Sequence, residues 1–556
     1  MKLDLHKLFG TTPGKGVQPK EAIAYSVTGI GQNFICTIIG SYITAYMTDA
    51  LLFGASGVKV GALDGAVAVA FLMLGVRIFD ALNDPIMGSI VDRTRTKWGK
   101  CRPYLKWMAI PIGICTILCF LPFFNPEDIS QNINIGSTFA IISILYVIWS
   151  VVYTVADVPY WGLATCMTNN TETRGNILTV ARLACTVGAG IVTVFLPVIT
   201  GKLTEQYKYA DFIDKATKAV GNNEACKEAY NLILRDKAEE IALMVQNGAA
   251  ENMQKAAETF IGTVKVGSEV ANAETLKWTY FIAAVVLVIA AVPMFFYGFK
   301  NTKEYFTTDE NPPSFTHNLK LLFKNKELLL LVLSGVLGGA RSVYTYTGGL
   351  YFAKYILHDE GLYGIITLLV VPGGLVASLL SPWLSKKFTK KWSYIIVHLF
   401  GGLVMLAMYF IGYKDNELII ASNNWALIAA AVCLVLLGIP QGVNNIITYA
   451  MIGDTVDYLE WKTGERGEGI CYAMQTLINK VGMAVGAFVG VMSLSIAQIN
   501  TKTYEVGNAD ALWKVLVLSG VFSFIACAIP MFFYTITEKK QAKMVAEIEA
   551  RKANAK

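Results

Sequence analysis

Charge is scarce in this chain. The 47 Lys and Arg and 41 Asp and Glu make up 16% of its 556 residues, against roughly 25% in soluble proteins, and they gather between long apolar runs. So few charges are too little to coat a water-soluble protein of this length. The net charge of +6 is small and its basic residues fall in short loops, so no nucleic-acid partner is expected. Cys-x-x-Cys pairs and Cys/His clusters are lacking. Among ten cysteines, Cys36, Cys115, Cys119, Cys185, Cys433, Cys471 and Cys527 lie in apolar stretches, where they read as small packing residues and not as a metal or disulfide framework. No apolar run precedes Ala22, so a cleaved signal peptide is not expected. The polar stretches offer no nucleophile with a base and no metal-ligand set, so neither an enzyme nor a bound cofactor is expected.

What is abundant is apolar: 54% of the residues, with 48 glycines besides. A membrane span needs about 20 mainly apolar residues. Twelve stretches qualify: 22–47, 61–91, 104–124, 136–162, 176–199, 278–298, 328–353, 361–384, 392–413, 425–450, 470–495 and 511–535. An even count puts both termini on one side. The segments on that side hold 28 Lys and Arg, whereas the short loops opposite hold five, Lys59, Lys354, Lys414, Lys502 and Lys514, so both termini are expected in the cytoplasm of a multi-pass inner-membrane protein. The expected organisation is helices 1–5 in residues 1–200, an insertion at 201–277, helix 6 at 278–298, a cytoplasmic inter-half loop at 299–327, helices 7–12 in 328–536 and a cytoplasmic tail at 537–556.

The insertion breaks the rhythm of short loops. Ten Lys and Arg and twelve Asp and Glu stand there in Ala-rich text such as KAEEIALMV and NMQKAAETF, the pattern of water-exposed helix. Its place after the fifth span puts it outside, as a cap, a partner site or a decoration. A fainter repeat links GSIVDRTRTKWGK after the second span to SPWLSKKFTKKW after the eighth. A basic turn recurring six spans later points to two six-helix halves.

Several charges interrupt the apolar spans. VRIFDALNDPIMG in the second places Arg77, Asp80 and Asp84 at i, i+3 and i+7 on one helical face, with Asn83 beside it. Asp157 stands in the fourth, in YTVADVPYWG. Ionisable groups at such depth face a bundle interior or a watery path and pair with something. Three carboxylates against one arginine leave a negative excess, relieved by a cation, a proton or positive groups elsewhere; a salt-bridged packing cluster is the plainer alternative. Oxygens from Asp80, Asp84 and Asp157, with the Thr154 hydroxyl and the Asn83 amide, suit Na⁺, Li⁺ and H⁺ alike. Pro85 and Pro159 follow two of these acids and can kink their helices.

Arg182, in NILTVARLACTVG, and Lys480, in YAMQTLINKVGMAVG, either bridge to the acids or offer donors to a polar solute. Arg341 lies in Gly-rich GGARSVYTYTGG, which suits a gate or packing charge. Tyr153, Tyr160 and Trp161 flank Asp157 and could wall the C–H face of a sugar. Asn444, Asn445, Gln475 and Thr476 add neutral hydrogen-bonding groups.

RIFDALNDPIMGSIVDRTRTKWGKCRPY, YTVADVPYWGLA, TETRGN and GDTVDYLEWKTGERGEGICYAMQTLINKVG together resemble the glycoside-pentoside-hexuronide:cation symporter family. The resemblance spans both halves and leaves out 201–277 and the extreme tail. It implies an all-α membrane protein of twelve transmembrane helices in a major-facilitator fold, with a small glycoside and Na⁺, H⁺ or Li⁺ moving together. The cation would sit at Asp80, Asn83, Asp84, Thr154 and Asp157; the solute at Tyr153, Asp157, Trp161, Arg182, Gln475, Thr476 and Lys480. Galactoside carriers of that family have a lysine-aspartate pair in the first span, where GIGQNFIC has Gln32 and Asn33, and a tryptophan in the tenth, where this chain has Asn445. Those three residues are counted as solute contacts, and the lost carboxylate turns the expectation from a galactoside toward a pentoside, a hexuronide or another anionic glycoside.

The expected mechanism is alternating access by a monomer whose halves rock about the site. Arg77, Arg341, Asp454, Asp457 and Glu460 take gating or structural roles, the last three facing the basic DRTRTKWGK turn, which also suits anionic membrane lipid. Two other functions compete: a non-transporting receptor that senses through 201–277, and a lipid transporter, which Arg182 and Lys480 disfavour.

Overall fold

The computed structural model describes all residues except 1–4, 10, 12–15, 56, 169–170, 221–250, 306–314, 346, 358–361, 413–423, 466–467, 501–504, 507–508 and 555–556. In lipid a chain must pair its backbone groups within itself, and the apolar stretches do so as helices. These are α1 (Pro19–Ala50), α2 (Gly65–Arg93), α3 (Arg102–Cys119), α4 (Ile135–Met167), α5 (Thr171–Val220) and α6 (Glu251–Asn301). α7 begins as Lys326–Leu337 and continues irregularly through Gly339–Thr345, Thr347–Tyr351 and Phe352–Ile356. The run Leu362–Gly412 divides at Thr389 (φ 65°, ψ 156°) into α8 (362–388) and α9 (390–412). α10 (Asn424–Thr463), α11 (Glu468–Ile496) and α12 (Ala509–Phe532) complete the bundle, and α13 (Glu538–Asn554) follows it. Among the described residues, eight stretches are long and apolar enough to cross a membrane by length and composition alone.

The insertion is helical where it is described, since α5 runs on to Val220 and α6 starts at Glu251. Its middle, 221–250, and part of the inter-half loop, 306–314, lie outside the described residues. Pro85 and Pro159 do not break their helices: α2 and α4 stay helical through both positions. A proline in a membrane helix frees little more than one carbonyl, which neighbouring groups can satisfy. Irregular backbone lies instead in the first helix of each half. α1 carries π turns at Ile38–Tyr42 and Tyr46–Ala50, and α7 a 3-10 turn at Gly339–Thr345 and a π turn at Phe352–Ile356.

The two-half repeat is written in hydrogen bonds at one end of the bundle. Glu21, in the first turn of α1, accepts from the Tyr305 hydroxyl just past α6 (3.0 and 3.1 Å). Six helices later, Glu327 in the first turn of α7 accepts from the Thr535 amide (2.9 Å) and hydroxyl (2.7 Å) just past α12. Glu304 accepts from the backbone amides of Lys100, Cys101 and Arg102 at the start of α3 (2.9, 2.8 and 2.7 Å), and Glu538 accepts from that of Lys390 at the start of α9 (2.7 Å). A carboxylate at a helix N-terminus answers its unpaired amides and its dipole. The residue before each capped amide is left-handed, Gly99 at φ 108° and Thr389 at φ 65°; a Cβ on Gly99 would stand 2.3 Å from the Glu304 carboxyl carbon.

The halves meet along α2 with α11 and α5 with α8, with Phe71 edge-on to Phe488 at 5.6 Å. Where α1 leads to α2 and α7 to α8, Asp49 pairs with Lys354, the hydroxyls of Thr48 and Tyr351 lie 2.9 Å apart and the rings of Tyr42 and Tyr363 meet edge-on. One apolar core crosses both halves here, taking in Met47, Leu51, Phe53, Tyr351, Phe352 and Trp513. At the opposite end the C-terminal half packs a core of its own around Leu328, Tyr394, Ile452 and Leu459, with Met544 of α13.

Asp49 and Lys354 are 4% and 7% exposed, so removing either partner strands a buried charge at a cost of about 3–5 kcal/mol. Asp49→Asn and Lys354→Met are each expected to lower the thermal midpoint of the detergent-purified protein, and the double variant to recover more than half of the larger loss. Losses that simply add in the double variant would show that the two do not stabilise one another.

Candidate functional site

α2 turns its charged face inward. Ile78, Phe79, Ile86 and Ile90 take its outer face, whereas Arg77, Asp80 and Asp84 are 6%, 1% and 4% exposed. Asp80 accepts from the Ser150 hydroxyl of α4 and lies 3.4 Å from Nη1 of Arg77. Asp84 crosses between the halves: its Oδ1 accepts from Lys480 Nζ of α11 at 2.6 Å. Asp157 Oδ1 accepts from Gln32 Nε2, from the Tyr153 hydroxyl at 3.3 Å and from Trp161 Nε1 at 3.1 Å. Lys480 and Asp84 both stand within electrostatic reach of Asp80 and Asp157.

The acids therefore belong to one neighbourhood but answer different partners. Among the described residues, no three of His, Cys, Asp and Glu converge as metal ligands do. Five other polar atoms on the same helices are buried and unpaired: Asp84 Oδ2, Asn83 Nδ2, Thr154 Oγ1, Gln32 Oε1 and Gln475 Oε1. Buried polar atoms are nearly always paired in a folded protein, so these five have hydrogen-bonding capacity left over.

The aromatic wall is split. Tyr153 stacks on Trp149 at 4.9 Å, and the Trp149 indole N–H donates to Thr116 (2.9 Å), which fixes Tyr153 beside Asp157. Tyr160 turns away to stack on Tyr25 at 4.7 Å. Arg182 of α5 lies over the Trp161 ring at 5.1 Å and donates through Nη2 to the hydroxyl of Tyr449 in α10 at 2.6 Å. Its side chain is exposed, and it bridges the two halves through Tyr449.

Other expected residues are placed less directly. Asn33 donates to the Gly29 carbonyl at 3.1 Å in its own helix. Asn445 is exposed, and Asn444 accepts from Thr448 at 3.1 Å. Gln475 donates to Asn479 at 3.1 Å, and Thr476 is half-buried. Arg341 lies in the 3-10 turn of α7, its Nη1 buried and unpaired. Asp454 pairs with Lys390 at 2.6 Å, Asp457 accepts from Gln541 at 3.1 Å and Glu460 is buried, so Asp454 and Asp457 are engaged within the C-terminal half and its tail.

Ser150 and Tyr449 escaped the sequence reading. Ser150 is one turn before Thr154 and two before Asp157, and Tyr449 one turn after Asn445, so the 3.6-residue period that grouped the acids could have found both.

Residues 24–538 match the family described as MFS/sugar transport protein. The chain belongs to that family. A glucuronide carrier protein homolog of Escherichia coli (strain K12) is 25% identical over 95% of this chain and 95% of its own. An isoprimeverose transporter of Lactiplantibacillus pentosus is 24% identical over 96% and 92%. These matches bear out the resemblance to glycoside-pentoside-hexuronide:cation symporters, and neither the receptor nor the lipid-transporter alternative is favoured. A solved D-xylose-proton symporter aligns with a TM-score of 0.52 at 12% identity, over 94% of this chain and 98% of that one, which bears out the MFS fold of twelve helices in two halves. MFS proteins are transporters, so the chain is not an enzyme.

Within this MFS scaffold Gly29 of α1 leaves little room against Tyr160 of α4 and Cys185 of α5. A Cβ there would lie 2.4 Å from the Tyr160 hydroxyl and 2.8 Å from Cys185 Sγ. Gly29→Ala is expected to destabilise the protein by about 1–3 kcal/mol through overpacking, read as a lower thermal midpoint, and Tyr160→Phe to relieve part of that loss. No relief would mean that the hydroxyl is not the obstacle.

Proposed function

We propose that this protein carries a glycoside, pentoside or hexuronide across the cytoplasmic membrane together with a cation, by alternating access. The observation that carries this reading is the Lys480–Asp84 ion pair between the halves, set among five unpaired buried polar atoms. A sugar solute is supported by the relatives named as glucuronide and isoprimeverose carriers.

In this reading Asp80, Asp84 and Asp157, with Asn83 and Thr154, take the cation. Gln32, Asn33, Tyr153, Asp157, Trp161, Arg182, Asn445, Gln475, Thr476 and Lys480 surround the solute. Without a cation, Lys480 neutralises Asp84. A cation at Asp84 displaces it, and a lone ammonium in an apolar interior is costly. Solute hydroxyls arriving at Lys480 offset that cost, so each ligand improves the site for the other by the same factor. Asp157 spends Oδ1 on Gln32, Tyr153 and Trp161, which leaves Oδ2 to accept from a solute hydroxyl or to meet the cation. Na⁺, Li⁺ and H⁺ all suit these oxygens.

The Lys and Arg distribution supports both termini in the cytoplasm, 201–277 outside and the basic 93–106 turn against anionic lipid. The end joined by Asp49 and Lys354 then faces outward, and the Arg182–Tyr449 contact lies toward the inner side. The carrier works as a monomer, since one chain supplies both halves.

In proteoliposomes, Asp84→Asn is expected to abolish cation-stimulated sugar uptake while solute counterflow persists. Undiminished stimulation in both Asp84→Asn and Asp80→Asn would remove the cation site from this reading. Trp161→Ala is expected to weaken solute binding by about ten-fold and cation binding by less than two-fold; parallel titrations of the two ligands check this, and equal losses would assign Trp161 a structural role.

A further inference from the structure

Arg182 and Lys480 stand on α5 and α11, which correspond in the two halves, and each reaches across to the opposite half. Lys480 meets the carboxylate of Asp84 at 2.6 Å. Arg182 meets none among the described residues. α8 and α9 carry no Asp or Glu over 362–412, and α10 none over 424–453, so the half that Arg182 faces answers it with the neutral hydroxyl of Tyr449 at 2.6 Å. The guanidinium lies 4.6 Å from the Tyr449 ring centroid and 5.1 Å from that of Trp161. Aromatic rings beside a guanidinium shield its faces and leave its edge for hydrogen bonding. That edge matches a carboxylate, which accepts two parallel N–H donors.

We propose that Tyr449 sets the charge class of the solute: its hydroxyl holds the edge of Arg182 in the unloaded carrier, and a carboxylate on the sugar takes its place. This rests on the symport reading of the same site. Exchanging a phenol for a carboxylate replaces a neutral acceptor with a charged, bidentate one, at an arginine whose exposed side chain keeps part of its hydration. An uncharged glycoside has no acceptor that outcompetes the phenol, so it leaves the Arg182–Tyr449 bond in place. Trp161 joins the two ends of the pocket, since its ring lies under Arg182 while its N–H holds Asp157 at 3.1 Å. An acidic sugar thus sets its carboxylate at Arg182 and a hydroxyl at Asp157, on either side of one indole.

The test uses full-length protein in vesicles and two probes that share a skeleton and differ in the C6 carboxylate, phenyl β-glucuronide and phenyl β-glucoside. The wild type is expected to favour the glucuronide by about ten-fold or more. Tyr449→Phe keeps the ring and removes the competing hydroxyl, so glucuronide binding should tighten about three- to ten-fold and glucoside binding move less than two-fold. Arg182→Gln, a second variant independent of Tyr449, should bring the two affinities together. A wild type that favours the glucoside, equal changes for both probes in Tyr449→Phe, or a glucuronide preference that survives Arg182→Gln overturns the proposal. Counterflow of the glucoside alone leaves the symport reading standing without it, whereas no counterflow of any sugar, with or without Na⁺, overturns both.

Discussion

A charge inside a membrane must be answered by another charge, by hydrogen bonds or by water, and the Asp84–Lys480 pair is where the charged face of α2 meets that demand across to the other half. Removing both groups from water costs several kcal/mol per ion, which their attraction does not reliably exceed. The pair is therefore a poor source of stability. In the proposed symport its use lies in being breakable by something that does the same work, such as a cation for Lys480 or solute hydroxyls for Asp84. Asp80 with Arg77 and Ser150, and Asp157 with its three donors, keep the rest of the embedded charge satisfied around that exchange.

The carboxylate caps explain how the halves can move without unravelling. Glu21 and Glu304 tie α1, α3 and the segment after α6 into one body, and Glu327 and Glu538 do the same for α7, α9 and the segment after α12. All of these bonds lie within a half. Among the described residues, the polar contacts that cross between halves include Asp49–Lys354, Thr48–Tyr351, Asp84–Lys480 and Arg182–Tyr449, beside the shared apolar core and aromatic edges. In the proposed alternating access, rocking exchanges that second set and leaves the first intact, as expected where repeats move as rigid units around a midplane site.

Much of this was legible in the sequence because lipid simplifies the code. Apolar length located the twelve helices, and the 3.6-residue period put Arg77, Asp80 and Asp84 on one face, with Ile78 and Phe79 turned outward. What escaped depends on contacts between residues far apart in the chain. Nothing local marks Glu304 as the cap of a helix some two hundred positions earlier, or Tyr449 as the partner of Arg182. The irregular turns of α1 and α7 carry no proline to announce them, while Pro85 and Pro159, which do, sit in helices that absorb them. The choice of Lys480 for Asp84, not Asp80 or Asp157, is likewise a matter of helix placement.

The uneven distribution of embedded charge links these features to coupling. All three intramembrane carboxylates of the proposed cation site belong to the N-terminal half, so the cation travels with that half, while the ammonium that competes with it belongs to the other. An unloaded carrier can cross between its states with Asp84 and Lys480 paired and no charge stranded. A carrier holding only the cation has lost that pairing and keeps an unanswered Lys480 between the halves, which resists closure around it. Solute removes the obstacle by supplying acceptors at Lys480. Tight coupling then needs no separate gate: the half-loaded state is disfavoured by the same desolvation penalty that made the ion pair necessary.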